Sequence, residues 1–63
     1  MESEYKLVIA YSNGEALERV KIKTKNPIMV SQIANSLLRT NNKIFSIDIY
    51  DMTCERFIAT KKR

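Results

Sequence analysis

The amino-acid sequence predicts an α+β fold: a single ββαββ domain over residues 1–63, in which one helix packs on one face of a four-stranded sheet. Three observations support this prediction. Two segments with alternating apolar residues flank an Asn-Gly pair, an amphipathic helical segment follows an Asn-Pro pair, and two further strand-like segments flank a short loop. A chain of 63 residues buries only about 60% of the surface that it exposes when unfolded, so the core is expected to be small.

The first two strands are predicted to form a hairpin around Asn13-Gly14, because a type I′ turn requires positive φ at both central residues and these two residue types tolerate it. A two-residue turn at this position sets the pairing of the strands. The predicted pairs on the core side are Tyr5–Ile22, Leu7–Val20, Ile9–Glu18 and Tyr11–Ala16. Glu18 is the one acidic residue on this side, and either a bulge near Leu17 to Arg19 or a position at the sheet rim would let its carboxylate reach water.

Lysines occupy every second position of the segment RVKIKTKNP, at Lys21, Lys23 and Lys25. The period of two places them on the side of the strand away from the core. Lysines on an edge strand discourage pairing between chains, which is the structural interpretation, and the alternative is that they contact phosphate groups. Lys6 is predicted to lie directly opposite Lys21, an unfavourable pair of like charges that favours an anion nearby.

A helix is predicted from Pro27 to about Thr40. Asn26 can accept a hydrogen bond from a free N–H of the first turn, and proline at the first helical position lacks the N–H that would otherwise have no partner. Asn41 or Asn42 is expected to end the helix in the left-handed conformation. The apolar stripe expected to face the sheet is Val30, Ile33, Ala34 and Leu37, with Met29 and Leu38 beside it.

The last third of the chain contains the strand-like segments KIFSIDIYD and ERFIATKK, separated by a loop at residues 52–54. A three-residue loop pairs Ile49 with Phe57 and Ile47 with Ala59, and it places Phe45 on the core side. The opposite face is then predicted to carry Ile44, Ser46, Asp48 and Tyr50 against Arg56, Ile58 and Thr60.

Two strand orders are compatible with a right-handed crossover between the second and third strands. In the order 2-1-3-4 every neighbouring pair is antiparallel, whereas in the β-grasp order 2-1-4-3 the first and last strands are parallel. The layout resembles the immunoglobulin-binding domain of protein G, whose first strand also contains the string YKLVI found here at residues 5–9. The resemblance implies the β-grasp architecture and no activity. The third segment is longer and more apolar than the fourth, which favours a central position for it, and both orders stay open.

The sequence contains few residues that could support catalysis or metal binding. Histidine is absent and Cys54 is the one cysteine, which excludes Ser-His and Cys-His nucleophile systems, Cys/His zinc sites and an internal disulfide. Gly14 is the one glycine, so a glycine-rich phosphate loop is excluded as well. Asp51 and Glu55 flank the second loop and are interpreted as turn residues rather than cation ligands. We therefore expect no enzymatic activity, no cofactor and no metal site.

The charge distribution is uneven along the chain. Residues 61–63, Lys-Lys-Arg, form a basic C-terminal tip that accounts for three of the net +4 charges and leaves +1 for the rest of the chain, a weak signal for nucleic-acid binding. The charged start MESEYK and the short apolar run LVIAY do not resemble a signal peptide or a membrane span. A small domain without disulfides is typical of a reducing compartment, so a cytoplasmic location is expected.

The leading functional hypothesis from the sequence is a protein-binding module that uses the uncovered sheet face or an edge strand to contact another protein or a second copy of itself. Its candidate contact residues are Val8, Leu17, Arg19, Lys21, Tyr50, Arg56 and Ile58. No small-molecule substrate and no membrane contact are expected.

The alternative hypothesis is nucleic-acid binding through the basic rim of the sheet and the C-terminal tip. Its candidate residues are Lys6, Lys21, Lys23, Lys61, Lys62 and Arg63. Sheets that bind single strands typically present two or three aromatic rings for stacking, and the predicted face offers only Tyr50.

Overall fold

The structure is a computed structural model that describes residues 2–62. The strands form one sheet in the order β2-β1-β3-β4, and each neighbouring pair is antiparallel. This is the first of the two predicted orders, and the β-grasp order implied by the protein G resemblance is wrong. The more apolar third segment is indeed central. In chain order the elements are β1 (Ser3–Tyr11), β2 (Glu18–Thr24), α1 (Pro27–Thr40), β3 (Ile44–Asp51) and β4 (Arg56–Lys62).

The core lies between α1 and one face of the sheet. The helix buries residues at four-residue intervals, which therefore lie on one side of it, and the central strands bury alternate residues. Leu38, predicted to flank the stripe, is buried, whereas Ile33 and Leu37 pack only partly against the core. The buried apolar residues are Tyr5, Leu7, Ile9, Val30, Ala34, Leu38, Ile44, Ile47 and Ile49.

The sequence predicts the N-terminal cap of α1 correctly and the conformation at its C-terminus wrongly. Asn26 caps the N-terminus as predicted, because its Oδ1 accepts a hydrogen bond from the N–H of Ile28 at 3.0 Å. At the C-terminus the left-handed prediction is wrong for both candidates: Asn41 has φ −128° and is extended, and Asn42 does not have positive φ. The Oδ1 of Asn41 accepts a hydrogen bond from the N–H of Lys43, and its backbone oxygen accepts one from the N–H of Ile44. The chain therefore turns directly into β3.

The register of the first hairpin is confirmed for Tyr5–Ile22, Leu7–Val20 and Ile9–Glu18, but the pairing stops there. Residues 12–17 form an open loop in which Gly14 has φ 81° and Asn13 does not have positive φ, so the predicted type I′ turn and the Tyr11–Ala16 pair are wrong. The tight turn is prevented by contacts between the end of β1 and the residue before β3. The N–H and hydroxyl of Ser12 both donate to the backbone oxygen of Lys43, at 2.9 and 3.1 Å, which holds the end of β1 against the start of β3.

Glu18 lies at the rim of the core side and is exposed, as the sequence predicts for an acid in this position. Its Oε1 accepts a hydrogen bond from the hydroxyl of Tyr11 at 2.6 Å. This bond, together with partial desolvation and the negative charges of Glu18 and Glu15, raises the pKa of Tyr11 above its usual value. The carboxylate thus contributes a hydrogen bond at the point where the strand pairing ends.

A β-bulge in β3 overturns the prediction for two residues. The pairing of β1 with β3 shifts between Ala10–Ser46 and Tyr11–Ile44, which leaves Phe45 as an extra residue. The extra residue reverses the alternation at this end of the strand. Ile44, predicted to face away from the core, is 2% exposed, and Phe45, predicted to face the core, is 56% exposed.

A second irregularity changes the pairing of β3 with β4. The loop at residues 52–55 has four residues rather than three, and Glu55 adopts φ 52° in it. Tyr50 pairs with Phe57 and Ile49 pairs with Ala59, so Ile58 is an extra residue on β4. The predicted pairs Ile49–Phe57 and Ile47–Ala59 are therefore wrong. Phe57 lies opposite Tyr50 instead of on the core side.

Candidate functional site

The described elements include one helix, and the face of the sheet away from it is called the open face here. Its members follow from the alternation of each strand and from the pairing between strands. They are Glu4, Lys6, Val8 and Ala10 of β1, Arg19, Lys21 and Lys23 of β2, Ser46, Asp48 and Tyr50 of β3, and Phe57 and Thr60 of β4.

One row of side chains crosses the open face through all four strands. In strand order it reads Lys21, Lys6, Tyr50 and Phe57, because each residue is the direct partner of the next. The Nζ of Lys6 lies 5.1 Å from the centroid of the Tyr50 ring, a cation–π contact. The rings of Tyr50 and Phe57 meet edge to face, with centroids 5.5 Å apart. Two cations and two aromatic rings are thus contiguous.

The neighbouring row reads Arg19, Val8, Asp48 and Thr60. The hydroxyl of Thr60 donates a hydrogen bond to Oδ1 of Asp48 at 2.7 Å. Cations therefore lie on the β2 side of the open face in both rows, while the β3 and β4 side carries the aromatic rings and one carboxylate.

The seven residues predicted to contact a protein partner do not all share a surface. Val8, Arg19, Lys21 and Tyr50 lie together on the open face. The remaining three are exposed elsewhere: in the loop before β2, opposite Asp51 at the start of β4, and at the β4 bulge. They are Leu17, Arg56 and Ile58.

The six residues predicted to contact nucleic acid divide in a similar way. Lys6, Lys21 and Lys23 lie on the open face. Lys61 lies opposite Ile47, a core residue, and so on the other side of the sheet. Lys62 is the direct partner of Ser46 of the open face, and its side chain also lines an open groove of about 430 Å³ with Asn35, Leu38 and Arg39. Its Nζ lies 5.9 Å from the centroid of the Phe45 ring. Arg63 lies outside the described residues.

The aromatic pair on the open face does not follow from the sequence pattern. A three-residue loop and an unbroken strand pairing predict Phe57 on the core side. It is 51% exposed, since the four-residue loop and the bulge at Ile58 place it beside Tyr50. The sequence of β4 gives a weak indication of this arrangement, because neither of its two faces is consistently apolar.

Among residues 2–62 no group of three or more His, Cys, Asp or Glu side chains is arranged to hold a metal ion. In the same part of the chain, no helix has both the length and the apolar character needed to cross a bilayer. Cys54 is a free and exposed thiol.

Comparison with known proteins yields no relative: no family model matches the chain, and neither a curated protein nor a solved structure is significantly similar to it. The class of the protein is therefore defined by its own features, a four-stranded antiparallel sheet with one helix and an open basic and aromatic face.

The electrostatics of the open face can be tested by reversing single charges on β2. Lys21 lies opposite Lys6, whereas Lys23 lies opposite Glu4. Lys21→Glu therefore replaces a repulsive pair by an attractive one and should raise the free energy of unfolding by roughly 0.2–1 kcal/mol. Lys23→Glu changes the net charge equally but creates a repulsive pair, and it should lower the free energy of unfolding.

Urea denaturation at low ionic strength measures both changes, and the difference between the variants should shrink in molar salt. Equal effects of the two substitutions would show that the charges opposite each lysine do not matter to stability.

Proposed function

We propose that the protein is a non-enzymatic module that binds single-stranded nucleic acid on its open face. The observation that supports this most strongly is the row Lys21, Lys6, Tyr50 and Phe57, in which two ammonium groups adjoin two aromatic rings. Sheets that bind single strands combine cations for the phosphates with rings on which bases stack. This function was the weaker of the two sequence hypotheses because only Tyr50 was expected on this face, and the position of Phe57 reverses that ranking.

The arrangement of the row matches the two parts of a nucleotide. Neighbouring β-strands lie roughly 4.8 Å apart. A single-stranded nucleic acid whose phosphates lie over Lys21 and Lys6 can therefore place its bases over Tyr50 and Phe57. Bases in a duplex are already stacked and paired, and only unpaired bases can use exposed rings. The helix offers no comparable reading surface, since Arg39 is its one basic residue.

Lys6 is expected to change partner on binding. In the free protein its ammonium group lies over the Tyr50 ring, and an exposed contact of this kind is worth about 0.5–1 kcal/mol. A stacked base is worth about 1–3 kcal/mol by alanine substitution, so a base can displace the ammonium group, which then becomes available to a phosphate. The like charge of Lys21 beside Lys6 favours the same exchange.

The proposal is tested by fluorescence anisotropy with a labelled oligothymidine, with each variant paired to a control on the helix side. Phe57→Ala should weaken binding by about 1–3 kcal/mol through the loss of stacking, whereas Ile28→Ala, which also truncates an exposed apolar side chain, should have no effect. Lys6→Gln should reduce the slope of log K against log salt by about 0.7, and Arg39→Gln should leave the slope unchanged.

Absence of binding at low salt, or equal losses in each variant and its control, would contradict the proposal. A thermal melt of each variant checks that it is folded under the conditions of the assay.

Protein binding, including self-association, is a second candidate that a separate observation favours. Ile58 and Leu17 are 43% and 51% exposed, and β4 is an edge strand whose segment Phe57–Thr60 carries no charge. The other edge, β2, carries Lys21 and Lys23, which discourage pairing with another strand. An unprotected edge is a surface to which a further strand can be added.

Light scattering over a range of concentrations tests this candidate. Self-association should be detected and should be lost in Ile58→Glu, while Ile28→Glu on the helix should retain it. If the protein is monomeric throughout, and if Leu17→Glu and Ile58→Glu leave the capture of protein partners unchanged, protein binding by these residues is excluded.

We also propose a cytoplasmic location. The exposed free thiol of Cys54 and the lack of a second cysteine suit a reducing compartment.

A further inference from the structure

Asp48 is an acidic residue in the middle of a face on which cations outnumber acids. Its direct partners are Val8 on β1 and Thr60 on β4, so no cation lies opposite it. The other acid of the open face, Glu4, lies opposite Lys23. A cross-strand charge pair thus accounts for the presence of Glu4 on this basic face, but no such pair accounts for the presence of Asp48.

The carboxylate of Asp48 is held in place by the neighbouring strand. Oδ1 accepts the hydrogen bond from the Thr60 hydroxyl at 2.7 Å, and the residue is half-buried. No hydrogen bond joins Oδ2 to any other of residues 2–62. One oxygen is therefore fixed while the group keeps free lone pairs that can accept from a ligand.

A fixed carboxylate repels phosphates and accepts hydrogen bonds from base edges. Among the bases, guanine presents two adjacent donors, N1–H and the N2 amino group, which match the two oxygens of a carboxylate. Thymine and uracil present a single N–H between two carbonyl oxygens, and those oxygens face the carboxylate unfavourably. Adenine and cytosine present one amino group beside an acceptor nitrogen. Guanine is the best match.

The position of Asp48 fits such a contact. Asp48 and Tyr50 are two residues apart on the same strand face, roughly 6.6 Å along β3. A base stacked on Tyr50 and a base whose edge meets Asp48 would therefore belong to neighbouring nucleotides.

We propose that Asp48 makes the open face selective for guanine, by accepting hydrogen bonds from N1–H and the N2 amino group of a base next to the one stacked on Tyr50. This inference rests on the proposed single-strand binding. Asp48 acts here as a specificity-determining residue, and Thr60 acts as a positioning residue through the hydrogen bond to Oδ1.

The test compares oligothymidine with the same oligonucleotide carrying one central deoxyguanosine, deoxyinosine or deoxyadenosine, by anisotropy at one salt concentration. The wild-type protein should bind the deoxyguanosine probe roughly tenfold more tightly than oligothymidine, the gain typical of a good two-bond base contact. Deoxyinosine lacks the N2 amino group and should recover only part of that gain, and deoxyadenosine should recover little.

Asp48→Asn supplies the decisive comparison, because the amide keeps the shape and an acceptor for Thr60 but loses one acceptor oxygen. It should abolish the preference for guanine and bind oligothymidine more tightly than the wild type, because a negative charge that repels phosphates is removed. Glu4→Gln removes a negative charge from the same face and should strengthen binding to all probes equally, with the preference kept. Thr60→Val removes the hydrogen bond that orients the carboxylate, and it should reduce the preference for the deoxyguanosine probe over oligothymidine.

The outcomes separate this inference from the proposal on which it rests. If the wild type binds every probe equally, or if Asp48→Asn keeps the preference, guanine selection by Asp48 is overturned while single-strand binding stands. If no probe binds, both are overturned.

Discussion

The structure depends on a single packing constraint: one helix is available to cover a sheet that has two faces. Val30, Ala34 and Leu38 of α1 lie against the alternate buried residues of β1 and β3, and this contact forms the core of the described chain. The second face of the sheet must then consist of residues that tolerate water. Most of its members are charged or polar, and the exposed ring of Phe57 lies on it at an energetic cost that a ligand can recover.

The two β-bulges decide what that second face presents. The bulge at Phe45 brings Ile44 into the core, and the bulge at Ile58 brings Phe57 beside Tyr50. Each extra residue reverses the alternation on one side of it, so a change in pairing of one residue exchanges an apolar core position for an exposed one. The aromatic character of the open face is therefore a result of the β3–β4 pairing and not of the composition of β4 alone.

The sequence predicted what periodicity and capping determine. The bounds of α1, its Asn26 cap and the pairing of β1 with β2 from Tyr5 to Ile9 follow from local patterns. The order 2-1-3-4 is one of the two orders that a right-handed crossover allows. The sequence could not predict what a long-range contact and the length of a loop determine. The backbone oxygen of Lys43 binds Ser12 and opens the first hairpin, and the four-residue loop before β4 shifts its pairing. The candidate site predicted from the sequence lacks Phe57, because the position of Phe57 on the open face depends on the shifted pairing of β4 with β3.

The central claim is that unpaired bases stack on the two rings of the open face, and NMR spectroscopy of the aromatic side chains tests it most directly. On titration with oligothymidine, the ring resonances of Tyr50 and Phe57 should shift progressively, while those of the core residue Tyr5 should stay in place. Unchanged resonances of both the Tyr50 and the Phe57 ring in the presence of saturating oligonucleotide, or shifts confined to residues of α1, would contradict the account.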